Sequence, residues 1–166
     1  MNEPVSAPNK STMVRKLGNA TTNASLDGGS GSDTLTVTNV GATFLDSQFA
    51  RVGSVNWADD LGAIENFVTE AGASNTYTFG RNAYDAGVRN VYASAGQILN
   101  ATAFNDGNGA TTNDRALNFV FDTAANAATA YITGTGATGR DTLTLTTNAQ
   151  TVDNGTFAHL ASVEML

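Results

Sequence analysis

The chain predicts an all-β fold, a parallel β-solenoid with short helical corners, and leaves a β-sandwich as the alternative. Three observations carry this expectation. The stretch Gly28-Gly29-Ser30-Gly31-Ser32-Asp33-Thr34-Leu35-Thr36 returns as Gly136-Ala137-Thr138-Gly139-Arg140-Asp141-Thr142-Leu143-Thr144, 136 − 28 = 108 residues later. Extended without a gap, residues 28–52 match residues 136–160 at ten of 25 positions, and the shared Asp, Leu and Phe are not a product of a Gly/Thr/Ala-rich composition. Many short segments of period two, separated by Gly, Asn and Asp, fit either a solenoid or an antiparallel sandwich, and the recurrence of a strand, a helical turn and a strand favours stacked coils.

Residues 1–24 carry both prolines, Pro4 and Pro8, without hydrophobic periodicity, and read as an extended arm. Residues 25–166 read as one β domain with an internal repeat, 28–67 and 136–166. In the first motif strand, Asp33 to Thr38, Leu35 and Val37 face one side and Thr34, Thr36 and Thr38 the other. In the second, Asp141 to Thr146, Leu143 and Leu145 alternate likewise. Each strand leads to a helical turn, Asp46 to Val52 and Asn154 to Leu160, with Asp46 and Asn154 as expected N-caps. Phe49 with Val52, and Phe157 with Leu160, form apolar i, i+3 pairs, so Phe49 and Phe157 are expected to be equivalent core residues.

A further strand is expected at Ile64–Phe67 in the first copy and at Val163–Leu166 in the second. Eleven residues precede it after Val52 but only two after Leu160, so Gly53 to Ala63, with Trp57, Asp59 and Asp60, contains an insertion. Between the copies, strands are expected at Thr76–Phe79, Arg89–Ala93, Leu117–Phe121 and Ala128–Thr133, a helical corner at Asn82–Val88 and a polar loop from Phe104 to Asp114. No concentration of large aliphatics points to a thick core.

The repeated nine residues combine a Gly-rich turn, a carboxylate and a strand. Glycines permit positive φ, so turn carbonyls can converge with the Asp side chain on a hard cation. The pattern resembles the GGxGxDxUx nonapeptide of the RTX (haemolysin-type) calcium-binding repeat family, with Ala137 at the second Gly of the second copy. The resemblance implies Ca²⁺ bound between successive turns through Gly28, Gly31, Asp33, Gly136, Gly139 and Asp141, with a second contributor from an adjacent coil such as Asp27, Asp106, Asp114 or Asp122. It also implies export by an uncleaved C-terminal signal, in keeping with the absence of an apolar h-region from Met1 to Thr22. The alternative for both Asp residues is a tight turn closed by their own hydrogen bonds.

Other constellations are weaker. Residues 132–139 contain a formal GxGxxG, but the alternating strand after it cannot supply the helix N-terminus that a pyrophosphate needs. The single histidine, His159, reads as a solvated surface residue and leaves no Ser-His-Asp or histidine-metal centre. Glu65 and Glu164 occupy equivalent positions and read as structural acids, so the chain is not expected to be an enzyme. The rows Thr34, Thr36, Thr38 and Thr142, Thr144, Thr146 raise an ice-binding lattice as an alternative, and a carbohydrate-binding or cleaving β-helix is another. Sequons at Asn9, Asn19, Asn23, Asn100 and Asn154 are expected of any Asn/Thr-rich chain.

Only 14% of residues are charged and the net charge is −7, which argues against nucleic acid. No run has the length of a membrane span. Without cysteine there are no disulfides, a pattern compatible with bacterial export. The expected function is an extracellular or cell-surface building block, a layer, fibre or adhesin module with cell-surface polysaccharide as a further partner. Leu166 aligns with Phe67, so the second copy stops as a coil's strand ends, which predicts head-to-tail self-assembly into a filament. Residues 1–17 carry +2 and the remainder −9, a complementarity that would reinforce it.

Overall fold

The computed structural model describes residues 12–16, 28, 31–38, 43–50, 64–72, 74–105, 115–135 and 140–164. In chain order these form β1 (Thr12–Lys16), β2 (Thr34–Thr38), β3 (Thr43–Phe44), a first 3-10 turn (Asp46–Phe49), β4 (Asn66–Val68), β5 (Thr76–Thr78), α1 (Arg81–Asp85), β6 (Asn90–Tyr92) and β7 (Ile98–Asn100). They continue with β8 (Asn118–Phe121), α2 (Ala124–Thr129), β9 (Tyr131–Thr133), β10 (Thr142–Leu145), a second 3-10 turn (Asn154–Phe157) and β11 (Leu160–Ala161).

The strands form two sheets, ordered β1-β2-β4-β6-β8-β10 and β3-β5-β7-β9-β11, in which every pairing is parallel. The antiparallel sandwich is thereby ruled out, and an all-β fold of two parallel sheets with few short helices stands. From β2 onward, consecutive strands alternate between the sheets, so each first-sheet strand and the second-sheet strand after it make one rung. The 108-residue recurrence joins Thr34 to Thr142 over four steps between five rungs, through the register Thr34, Asn66, Asn90, Asn118, Thr142.

Period-two alternation places the core. Leu35 and Val37 are buried while Thr34, Thr36 and Thr38 are half-buried, as the alternation in β2 predicts. In register with Leu35 stand Phe67, Val91, Phe119 and Leu143; facing them from the second sheet are Phe44, Tyr77, Leu99 and Ile132, all buried. The scarcity of aliphatics is met with rings: seven of the eight phenylalanines are no more than 1% exposed. Phe44, Phe49, Phe67, Tyr77 and Phe79 interlock at centroid distances of 5.1 to 6.2 Å, within the range of edge and tilted pairs.

Several expectations need correction. The first 3-10 turn follows a second-sheet strand, β3, whereas the second precedes one, β11, because residues 151–152 form no strand matching Thr43–Phe44. The two turns therefore sit at different corners, and their phenylalanines are not equivalent: Phe49 is fully buried and Phe157 only partly. Val163 and Glu164 form no strand, β11 being Leu160–Ala161, while Met165 and Leu166 lie outside the described residues. Ala128 and Thr129 end helix α2 rather than opening a strand; Thr123 starts that helix, its Oγ1 accepting from Asn126 N at 3.2 Å. Thr12–Lys16, within the segment read as an arm, forms β1 beside β2. The insertion at 53–63 and Arg51–Val52 lie outside the described residues.

The expected N-caps are displaced by one residue, to Leu45 and Asp153. Asp153 Oδ1 accepts from Thr156 N at 3.1 Å and closes its own turn. Asp46 instead reaches the next rung and caps α1: its carboxylate accepts from Gly80 N (2.7 Å), Asn82 N (3.1 Å), Asn82 Nδ2 (2.8 Å) and Ala83 N (2.9 Å). Position 80 must be glycine for this approach, since a Cβ there would lie 2.9 Å from Asp46 Cγ. Asp46→Ala is expected to lower stability by about 1–2 kcal/mol, read from urea unfolding, with the loss traced to α1 by exchange of the Ala83 amide.

Candidate functional site

Asp33 and Asp141 occupy matching places before the second and the last strand of the first sheet. Asp33 and Asp141 are both fully buried, each immediately before its strand. Asp33 N donates to Glu65 Oε2 at 2.7 Å, and Asp141 N donates to Glu164 Oε2 at 2.8 Å. Each Asp carbonyl accepts a backbone amide from the following rung, Asn66 N at 3.0 Å and Glu164 N at 3.1 Å. The Asp-to-Glu separations are 65 − 33 = 32 and 164 − 141 = 23 residues, so the same contact forms across a nine-residue difference in length. That difference equals the excess of the insertion before Ile64. Glu65 and Glu164, aligned by the repeat, thus make the same contact.

The Asp141 side chain binds backbone. Its Oδ1 accepts from Leu117 N at 2.7 Å and its Oδ2 from Thr135 N, joining the start of β8 to the segment after β9. A Cβ at position 134 would collide with Ser162 O and with the Asp141 carboxylate, so Gly134 is what lets that segment pass. Burial raises the Asp141 carboxyl above its ordinary value; the amides of Thr135 and Leu117 oppose the rise and nearby Glu164 adds to it. Among the first turn's glycines, Gly31 has φ of +123°, a conformation open to glycine, and Gly28 is half-buried.

These positions do not converge. Asp33 and Asp141 are four strand steps apart, about 19 Å at the usual spacing, and cannot share an ion. Asp122 follows β8 while Asp141 stands opposite Leu117 before it, so five residues of strand, about 16 Å, separate these carboxylates. Gly136, Gly139, Asp27, Asp106 and Asp114 lie outside the described residues. Among the described residues no three His, Cys, Asp or Glu side chains gather in a metal-holding group. Each oxygen of the Asp141 carboxylate already accepts one backbone amide.

An asparagine ladder, unread in the sequence, runs beside the Asp residues. Asn90 Nδ2 donates to Asn66 Oδ1 at 3.0 Å, Asn118 Nδ2 to Asn90 Oδ1 at 3.2 Å, and Thr142 Oγ1 to Asn118 Oδ1 at 2.8 Å. Its signal was an Asn directly before the inward residue of each rung, as in Asn66-Phe67, Asn90-Val91 and Asn118-Phe119. Identical amides stacked on parallel strands satisfy one another along the stack. The threonine rows of β2 and β10 are separated by β4, β6 and β8, which carry Asn, Val and Tyr at the corresponding positions, so no continuous hydroxyl lattice forms.

His159 is exposed, with its ring stacked on Tyr131 at a centroid distance of 4.2 Å and Nδ1 3.2 Å from Ala128 O. No helix among the described residues is long and apolar enough to cross a membrane. Among the described residues β10 and β11 are the last strands of their sheets, with Glu164 N donating to Asp141 O just before β10, and β1 and β3 hold the opposite edges. Compared with family models, curated proteins and solved structures, the chain matches none.

Proposed function

We propose that this protein is a structural module, a parallel β-solenoid that acts as an extracellular or cell-surface building block and associates head to tail with copies of itself. The observation that carries the reading is the edge geometry: among the described residues β10 and β11 end their sheets at one pole, β1 and β3 at the other, and within each sheet every strand runs the same way. A second copy can add its β1 and β3 edges to the β10 and β11 edges in the same parallel sense, a contact that propagates without closing. Charge favours this order, because β1 carries Arg15 and Lys16 while the opposite pole holds Asp153 and Glu164 against Arg140. The carboxylate-to-amide contacts and the asparagine ladder support a rigid scaffold role. Calcium is retained in this proposal at the Gly28–Asp33 turn alone.

Light scattering and negative-stain microscopy of the purified chain test the association. Concentration-dependent filaments are expected, weakened by added salt and by deletion of residues 1–24. A chain that stays monomeric at high concentration, in millimolar Ca²⁺ and in EDTA, overturns it. The melting temperature in the same two buffers tests the ion: a rise with Ca²⁺ that is lost in Asp33→Ala places it at that turn, and no rise removes calcium from the account.

A further inference from the structure

We propose that a cleft on the outer face of the first sheet binds the ring of a neutral saccharide. The cleft has a volume of 260 Å³ and lies where the sheet meets α2. Its parts come from three adjacent rungs: Tyr92 and Ser94 from and after β6, Val120 and Asp122 from and after β8, and Thr146 after β10, with Asn126 projecting from α2. Tyr92 pairs in register with Val120, which is only 4% exposed, whereas Tyr92 is 40% exposed. An aromatic ring thus stands at the rim of a floor that the sheet itself has already buried.

The polar wall is organised. Asn126 Nδ2, on α2, donates to Asp122 Oδ1, on the residue before the helix's N-cap, which orients the carboxylate. Ser94 and Thr146 add hydroxyls on either side. A half-exposed aromatic face beside a carboxylate, an amide and hydroxyls matches a pyranose: its C–H face lies on the ring and its hydroxyls donate to and accept from the wall.

Other ligand classes fit less well. Asp122 is the single charged side chain in the lining, with no Lys, Arg or His, so an anion would be repelled. One carboxylate supplies too few oxygens for a hard cation. Both β6 and β8 are paired on each side, so no strand edge is open here for an extended peptide. The volume falls below the roughly 300–1,000 Å³ of drug-sized sites, which suits one ring with the rest of a glycan in solvent. Thr146 directly follows β10, so the cleft borders the edge used in the proposed self-association, while Tyr92, Asp122 and Asn126 lie on or beside the inner strands β6 and β8.

The test titrates the full chain with maltotriose, cellotriose and triacetylchitotriose, and with sialyllactose as an anionic control, followed by NMR saturation transfer and amide shifts. At least one neutral trisaccharide is expected to bind, with the largest shifts at Ser94, Asp122 and Asn126. Tyr92→Ala is expected to weaken binding about tenfold or more, and Tyr92→Phe to retain it. Tyr131→Ala, on the second sheet, leaves affinity unchanged. Shifts in the wild-type chain locate the site even if a variant folds poorly. Binding of none of the neutral sugars, shifts centred elsewhere, an unaltered affinity in folded Tyr92→Ala, or preference for sialyllactose would each overturn the assignment.

Discussion

Phe49→Ala is expected to cost about 3–5 kcal/mol, while Phe157→Ala costs about 1–2 kcal/mol, although the two residues occupy matching positions in the sequence repeat. Phe49 is fully buried, and its ring meets Phe44 at 5.1 Å, Phe67 at 5.2 Å and Phe79 at 5.9 Å, so truncation removes contacts to both sheets at once. The surrounding rings cannot collapse into the space, because each is held in its own strand or corner, and the cavity term adds to the lost transfer term. Phe157 is only partly buried at the other corner, where solvent can fill what the ring leaves. Urea unfolding of the two variants, with unchanged slope, checks the inequality. Equal losses would mean that the two 3-10 turns pack alike, contrary to the order of β3 and β11 around them.

Asp141→Ala is expected to cost about 2–6 kcal/mol, because it strips the acceptor from two backbone amides, Leu117 N and Thr135 N, each worth about 1–3 kcal/mol when left buried and unpaired. Asp141→Asn retains one oxygen and turns an NH₂ toward the other amide, so it should lose roughly half as much. The effect should be the same in Ca²⁺ and in EDTA, since the carboxylate serves backbone amides. The pH dependence has a definite sign. The folded Asp141 carboxyl sits above its ordinary value of 3.8, mainly through burial, so between that value and the raised one the folded state binds more protons than the unfolded state. Its contribution to stability therefore falls as pH rises through that window. The stability of wild type relative to Asp141→Asn should accordingly be larger near pH 3 than near pH 7. A difference that grows with pH would show that the amides, rather than burial, dominate the titration.

The local periodicities were legible in the residues themselves. Alternation at Thr34–Thr38 and Thr142–Leu145, the middle strands at Thr76, Asn90 and Asn118, and the corner expected at Asn82–Val88, which forms as α1 at Arg81–Asp85, follow from side-chain spacing over a few residues. So did the equivalence of Glu65 and Glu164, because the repeat carried it across an insertion. Other short strands were harder. Thr43–Phe44, Ile98–Asn100 and Leu160–Ala161 are too short to show a period, and their pairing partners create them.

What a carboxylate binds was decided only in three dimensions. Asp33, Asp46 and Asp141 look alike in sequence, each beside a turn, yet Asp46 caps a helix more than thirty residues away and Asp141 binds amides from two other segments. A buried carboxylate takes whichever N–H groups the stacked rungs bring within reach, and that depends on rung length and on the sheet each strand joins. The sequence alone therefore determined where the chain extends and where it turns, through side-chain alternation and glycine's freedom of φ. The tertiary structure decided which turn meets which, because hydrogen-bond partners between rungs are neighbours in space and not along the chain.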